Sequence, residues 1–155
     1  IYLTSASSLI GQTEGTMFIE VDWQLVSGTF QVLLNASDGT SSNRFEIYNN
    51  DSPSEIIMSA ISNGTPLALE SESSTTYTGI QKFAFAYKTD DFELYRNGSS
   101  IATDTSGSLA SLATLTDVYF GQNVIASAQA NMWIRAVALF TSRLTDTQCE
   151  DLTTI

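Results

Sequence analysis

Apolar residues recur at every second position in segment after segment of this chain, and helical spacing is nearly absent. From Gly15 to Val26, Met17, Ile19, Val21 and Trp23 fall on one side, and Phe18, Glu20, Asp22 and Gln24 fall on the other. A period of two sends alternate side chains to opposite faces of a pleated strand, so such a segment lays one face on a core and turns the other outward. Clusters of Gly, Ser, Thr, Asn and Asp separate the segments and supply the reversals. A chain built this way covers its apolar faces by stacking antiparallel sheets, which predicts an all-β, two-sheet sandwich.

The strands follow in order. Thr29 to Asn35 comes after a reversal at Ser27-Gly28, and Asn43 to Asn49 after the loop from Ser37 to Ser42. In Asn43 to Asn49 the alternation points Phe45 and Ile47 inward and Arg44, Glu46 and Tyr48 outward. Ser54 to Ser62 and Leu67 to Glu72 are divided by Asn63-Gly64-Thr65-Pro66. A meander runs from Ile80 to Thr103, in which Phe83, Phe85 and Tyr87 alternate with Lys82, Ala84 and Ala86, and Phe92 and Leu94 with Glu93 and Tyr95. Its turns are Thr89-Asp90-Asp91 and Asn97-Gly98, the latter a type I′ signal because both residues tolerate positive φ. Ser106 to Thr114 reads as a loop with a helical turn. Val118 to Gly121 and Met132 to Phe140 close the sandwich, with a bulge between Ile134 and Val137, and Thr145 with Gln148 forms a capping box for a short C-terminal helix.

At 155 residues the chain suits one domain, residues 1–155, and the absence of an initiator Met suggests a piece of a longer protein. Seventeen acidic against six basic residues give a net charge of -11, which repels phosphate backbones and anionic headgroups and argues against nucleic acid as a partner. No apolar run reaches the roughly 20 residues that cross a bilayer, so membrane insertion is not expected. With no histidine and one cysteine, Cys149, the chain lacks an internal disulfide, a Cys/His zinc site and a histidine general base. Cys149 reads as a packing residue, because neighbouring carboxylates raise a thiol pKa. No cofactor is expected; calcium is the metal for which oxygen-rich turns exist, at Asp38 to Asn43, Asn49-Asn50-Asp51 and Asp90-Asp91, although their spacing matches no EF-hand loop.

The meander from Lys82 to Thr105, KFAFAYKTDDFELYRNGSSIATDT, resembles the central hairpin of laminin-G-like and concanavalin A-like domains. The segment from Ile134 to Leu152, IRAVALFTSRLTDTQCEDL, is similar to the closing strand, the corner with Arg143 and Leu144, and the terminal helix of that group; the first strand GTMFIEVDW fits as well. The Ser, Thr and Ala texture looks like versions appended to bacteriophage tail and other virion proteins. The resemblance implies a jelly roll with one curved sheet whose polar strand faces line a shallow groove, on an extracellular or virion protein.

It also implies carbohydrate chemistry, either lectin or glycoside hydrolase. Retaining hydrolases of this architecture carry ExDxE or ExDxxE on one strand face, with nucleophile and acid/base about 5 Å apart. Here Glu20-Val21-Asp22-Trp23-Gln24-Leu25 puts Gln24 or Leu25 where the acid/base should stand, so Glu20 and Asp22 read as a solvated strand face and no catalytic residue is assigned. Sugar binding needs an aromatic ring against a pyranose face and planar polar side chains for its hydroxyls. Three sets offer this: Arg44, Glu46 and Tyr48; Glu93 and Tyr95, provided pairing brings them onto the same sheet; and Trp133 with Arg135. The reading is a non-catalytic module for a cell-surface or environmental polysaccharide, held in a larger virion or secreted protein and open to oligomerisation. The alternatives are a structural decoration or spacer domain with protein contacts and, third, a hydrolase.

Overall fold

Strand β2 (Glu14–Gln24) shows what the alternation achieves: Met17, Ile19, Val21 and Trp23 are buried in the core while Glu20 and Asp22 stay partly open on the far side. The computed structural model describes residues 1–24, 29–51, 54–73 and 77–155, so the expected end of this strand at Val26 and the Ser27-Gly28 reversal lie outside the described residues. Beside β2 stand β7 (Thr78–Lys88), β8 (Asp91–Arg96) and β9 (Ser99–Asp104) on one flank and the edge strand β11 (Met132–Phe140) on the other, giving a five-stranded antiparallel sheet. The facing sheet has six strands, in the order β1 (Tyr2–Leu3), β10 (Asp117–Phe120), β3 (Gln31–Ser37), β4 (Arg44–Asp51), β5 (Ser54–Ser62) and β6 (Thr65–Ser73). The chain is a two-sheet jelly-roll sandwich with one short C-terminal helix, α1 (Asp146–Thr153). The sequence patterning misses β1, which is two residues long.

Aromatic side chains join the sheets. Phe45 of β4 meets Phe85 of β7 edge-on at 6.0 Å between ring centres and Tyr87 at 4.2 Å. Trp23 stacks on Tyr77 at 5.8 Å, and its indole N–H donates to Gln31 Oε1 at 2.8 Å, which satisfies the one polar atom of an otherwise enclosed ring. Tyr87 donates to the Gly11 carbonyl at 2.8 Å; Gly15 lies against the same phenol, where a Cβ would collide with its oxygen and sit 2.9 Å from the Phe140 carbonyl. Asn63-Gly64 and Asn97-Gly98 both adopt positive φ, as the two-residue hairpin turns require. Leu109–Ser111 is the helical turn expected between Ser106 and Thr114.

On its outer face the five-stranded sheet carries a second, smaller core. Phe18, Ala84, Ala86 and Tyr95 receive Cys149 of α1, with Ala138, Phe140, Leu144 and Leu152 packed around them. Alanines at 84 and 86 leave the room into which the helix settles. Thr145 and Gln148 form the expected capping box. Beneath the helix lies Arg143, only 9% exposed, which donates to Asp91 at 2.7 Å, to Glu93 at 3.1 Å and to Asp146 at 3.0 Å, while Tyr95 donates to Asp146 at 2.8 Å. Burial works against the Arg143 charge, but the carboxylates outweigh it and hold the guanidinium more firmly protonated than usual. Burial and the hydrogen bonds to Glu93 and Asp146 push the Tyr95 phenol up. Burial also pushes the Cys149 thiol up to about 11, as its reading as a packing residue requires.

Removing Arg143 strips its counter-charge from Glu93 and Asp146 and leaves Asp91 to Lys88 alone. Arg143→Ala should therefore lower unfolding free energy by about 3 kcal/mol in urea titration, the low end for a broken buried pair because Asp91 and Asp146 stay wetted. The same cluster sets the pH response. The Asp146 carboxyl sits below its ordinary 3.8, chiefly through the Tyr95 and Arg143 hydrogen bonds, so its stabilisation is complete above pH 3.8 and lost as pH falls below that value. Tyr95 lies above its ordinary 10.0, so its contribution is complete below pH 10 and lost as pH rises further. Thermal melting across pH should show both limbs, with Asp146→Asn flattening the acid one.

Candidate functional site

Among the described residues no helix covers the outer face of the six-stranded sheet, which carries polar side chains between apolar ones such as Ile57 and Leu69. Pairing sets Asn35 of β3, Glu46 of β4 and Ser59 of β5 in one row across the strands. All three are buried, with Glu46 3% exposed, although they face away from the aromatic core. Glu46 accepts from Asn35 Nδ2 and from Arg44 Nε, each at 2.6 Å, and Arg44 also donates to the Ser41 carbonyl. Among the described residues Asn35 Oδ1 and Ser59 Oγ have no partner. A buried polar atom left unpaired costs about 1–3 kcal/mol, and Asn49 Oδ1, Arg96 Nε and Arg143 Nε share that condition elsewhere in the fold.

The segment between β10 and β11 returns beside β3, with the Val32 amide donating to the Ala128 carbonyl at 3.3 Å and the Ala130 amide to the Gly121 carbonyl at 2.9 Å, and brings Asn123, Val124 and Ile125 up to Arg44 and Glu46. Asn123 stiffens it, accepting from the Ser127 amide at 2.9 Å and donating to the Ser127 hydroxyl at 3.0 Å. The result is a cleft of about 180 Å³ lined by Phe30, Ser41, Arg44, Glu46, Asn123, Val124 and Ile125. The Arg44–Glu46 ion pair, Ser41 and Asn123 give it polar groups, and Phe30, Val124 and Ile125 give it apolar ones. Phe30, 39% exposed, leans on Tyr48 at 5.0 Å between ring centres. Burial, then the Glu46 charge, pushes the Tyr48 phenol up, so it stays neutral.

Of the residues expected from sequence, Arg44, Glu46 and Tyr48 are thus brought together at one cleft and its border. Glu93 and Tyr95 are not: β8 belongs to the other sheet, Tyr95 is fully enclosed under α1, and Glu93 is committed to Arg143. The condition that they share a sheet with β4 fails because β4 and β8 belong to different layers. Trp133 and Arg135 lie on the five-stranded sheet, Trp133 before the bulge between Ile134 and Ala136 and Arg135 within it. Arg135 donates to Glu20 at 2.8 Å, and Lys82 stands 4.0 Å from the same carboxylate. Glu20 is therefore part of an ion-pair group, and Asp22 stands opposite Trp133. Alternation alone did not disclose Asn123, Val124 and Ile125, because they lie in a connection, and it set Phe30 in the strand from Thr29 to Asn35, whereas β3 begins at Gln31; the available signal was isoleucine at 125 in a stretch otherwise rich in Ser, Ala and Asn.

In the loops considered for calcium, Asp38 accepts from Thr40 at 2.9 and 2.6 Å and from Asn43 at 2.8 Å. Burial pushes its carboxyl up, and these hydrogen bonds outweigh that and hold it below the usual carboxylate value. Asp91 is shared between Lys88 and Arg143. Among the described residues no three His, Cys, Asp or Glu side chains are grouped to hold an ion. No helix among them is long and apolar enough to cross a membrane.

No protein-family model matches the sequence, and no curated protein does. Solved structures do match in shape. The chain superimposes on the CBM40 domain of the Ruminococcus gnavus IT-sialidase bound to α2,3-sialyllactose with a TM-score of 0.74 and 16% identity, covering 96% of this chain and 86% of that one. It matches a leech intramolecular trans-sialidase at 0.74 and 15% identity, covering 96% of this chain, and the NanB sialidase of Streptococcus pneumoniae at 0.76 and 17% identity, covering 99%. The chain spans only 24% and 27% of those two enzymes. At such identities the likeness is one of fold: a jelly-roll sandwich shared with carbohydrate-binding modules and with domains of larger sialidases.

Proposed function

We propose that this domain is a non-catalytic carbohydrate-binding module of a larger virion or secreted protein, and that it holds a glycan in the cleft over the six-stranded sheet. The observation that carries the reading is the composition of that cleft, hydrogen-bonding groups beside apolar ones. A sugar ring presents both kinds of surface, hydroxyls at its rim and C–H groups on its faces, and needs both kinds of partner. Glu46 and Arg44 supply polar groups, Phe30 and Ile125 apolar ones, and the unpaired Asn35 and Ser59 atoms flank Glu46.

The volume bears on the size of ligand. Taking a water's share of the liquid as about 30 Å³, the cleft holds about six waters, which is room for one ring with the rest of the glycan in solvent. Charge bears on its nature. The Arg44–Glu46 pair sums to zero within a chain of net charge -11, which favours a neutral sugar over an acidic one. The sialyllactose-bound neighbour makes sialosides the comparison that tests this point. A binding role without catalysis agrees with Glu20 being tied to Arg135 and Lys82 and with Gln24 in place of a second catalytic carboxylate. The laminin-G resemblance and the Ser- and Thr-rich texture support the virion setting.

The test is a glycan array carrying neutral and sialylated ligands, probed with the native protein and with Phe30→Ala. A neutral glycan should bind, and Phe30→Ala should weaken it about ten-fold with an unchanged circular dichroism spectrum. Folded protein that binds nothing on the array would falsify the reading.

A further inference from the structure

The outer face of the five-stranded sheet has two halves. Helix α1 covers one. The other carries Trp133, 78% exposed, on the rim of a cavity of about 170 Å³ formed with Asp22, Gln24, Asn131 and Met132. An indole offers one of the largest apolar surfaces of any side chain, and leaving it in water forgoes that burial. The polar groups around it are equally uncommitted: among the described residues the side chains of Asp22, Gln24 and Asn131 make no hydrogen bond or ion pair. Their neighbours are fully engaged, since Glu20 takes both Arg135 and Lys82. An open aromatic platform thus stands beside three planar hydrogen-bonding groups with nothing to bind.

We infer that this cavity is a second saccharide site, in which an uncharged pyranose stacks on Trp133 and hydrogen-bonds to Asp22, Gln24 and Asn131. Asp22 is the charged group of the lining, and it disfavours sialic and uronic acids. The inference stands apart from the cleft over the six-stranded sheet, because it uses the opposite layer of the sandwich and none of the same residues.

The competing occupant is a protein surface, and two observations weigh against it. A specific interface takes about 800 Å² from each partner, whereas the open apolar groups here are one indole with Ile80 and Ile134, which are 39% and 38% exposed. Strand β11 is a sheet edge, but its bulge between Ile134 and Ala136 interrupts the ladder that an added strand would follow and places Arg135 there. With a site on each layer, one domain joins two glycan chains, and an array of such domains gains avidity from both.

Acrylamide quenching separates the two tryptophans, because Trp23 is enclosed and Trp133 is open. The probes are neutral hexaoses of gluco, manno, galacto and xylo configuration, with sialyllactose as the acidic arm. At least one hexaose should shield the quenchable emission and sialyllactose should not. Trp133→Ala should remove that emission and weaken binding in affinity electrophoresis about ten-fold, and Gln24→Ala with Asn131→Ala should weaken it while the indole stays in place. Phe30→Ala should leave the shielding unchanged, which keeps this site distinct from the other cleft. The inference is overturned if no hexaose shields Trp133, if sialyllactose shields it as well, if Phe30→Ala abolishes the effect, or if shielding follows protein concentration together with dimer formation in sedimentation.

Discussion

The contact of Phe45 with Phe85 and Tyr87 decides what the rest of the molecule can be. It joins the middle of one sheet to the middle of the other, and with it the phase of β4 and β7 is settled. Because side chains alternate, a slip of one residue in β4 would carry Glu46 into the aromatic layer and Phe45 into water. The same interlock that dries the interior therefore places Arg44, Glu46 and Tyr48 on the outside of one sheet and Glu20, Asp22 and Lys82 on the outside of the other. Both outer faces are by-products of a single packing decision.

Those two faces are finished differently. On the five-stranded sheet, small residues at 84 and 86 admit a helix, and Arg143 neutralises the carboxylates that the helix traps. On the six-stranded sheet no helix arrives among the described residues, and a returning loop meets Arg44 and Glu46 at one end of a polar row that is not fully satisfied. The first arrangement uses all but the Arg143 Nε–H internally. The second leaves Asn35 Oδ1 and the Ser59 hydroxyl unpaired among the described residues.

The layers were legible from sequence because alternation is local and the core enforces it. Phe45, Ile47, Phe83, Phe85, Tyr87, Phe92 and Leu94 all lie where the period of two places them, and the capping box and the Asn-Gly turns depend on neighbours close in the chain. What alternation cannot state is which strands share a sheet. Glu93 and Tyr95 have the same outward phase as Glu46 and Tyr48, yet a crossover separates them: Tyr95 is enclosed under α1 and Glu93 is tied to Arg143, while the other pair borders a cleft. The walls of that cleft were hidden for related reasons: Ile125 sits in a connection, where no periodicity operates, and Phe30 sits just before β3, one residue outside the strand in which alternation placed it.

Cys149 shows a further property of the small outer core. Its thiol is wholly covered by α1 and held in the unreactive protonated form, so a modifying reagent reaches it only when the helix lifts from Phe18 and Tyr95. The molecule thus carries its own clock for one local motion: the speed at which this sulfur takes up an alkylating label counts departures of the terminal segment, separately from collapse of the sandwich beneath it.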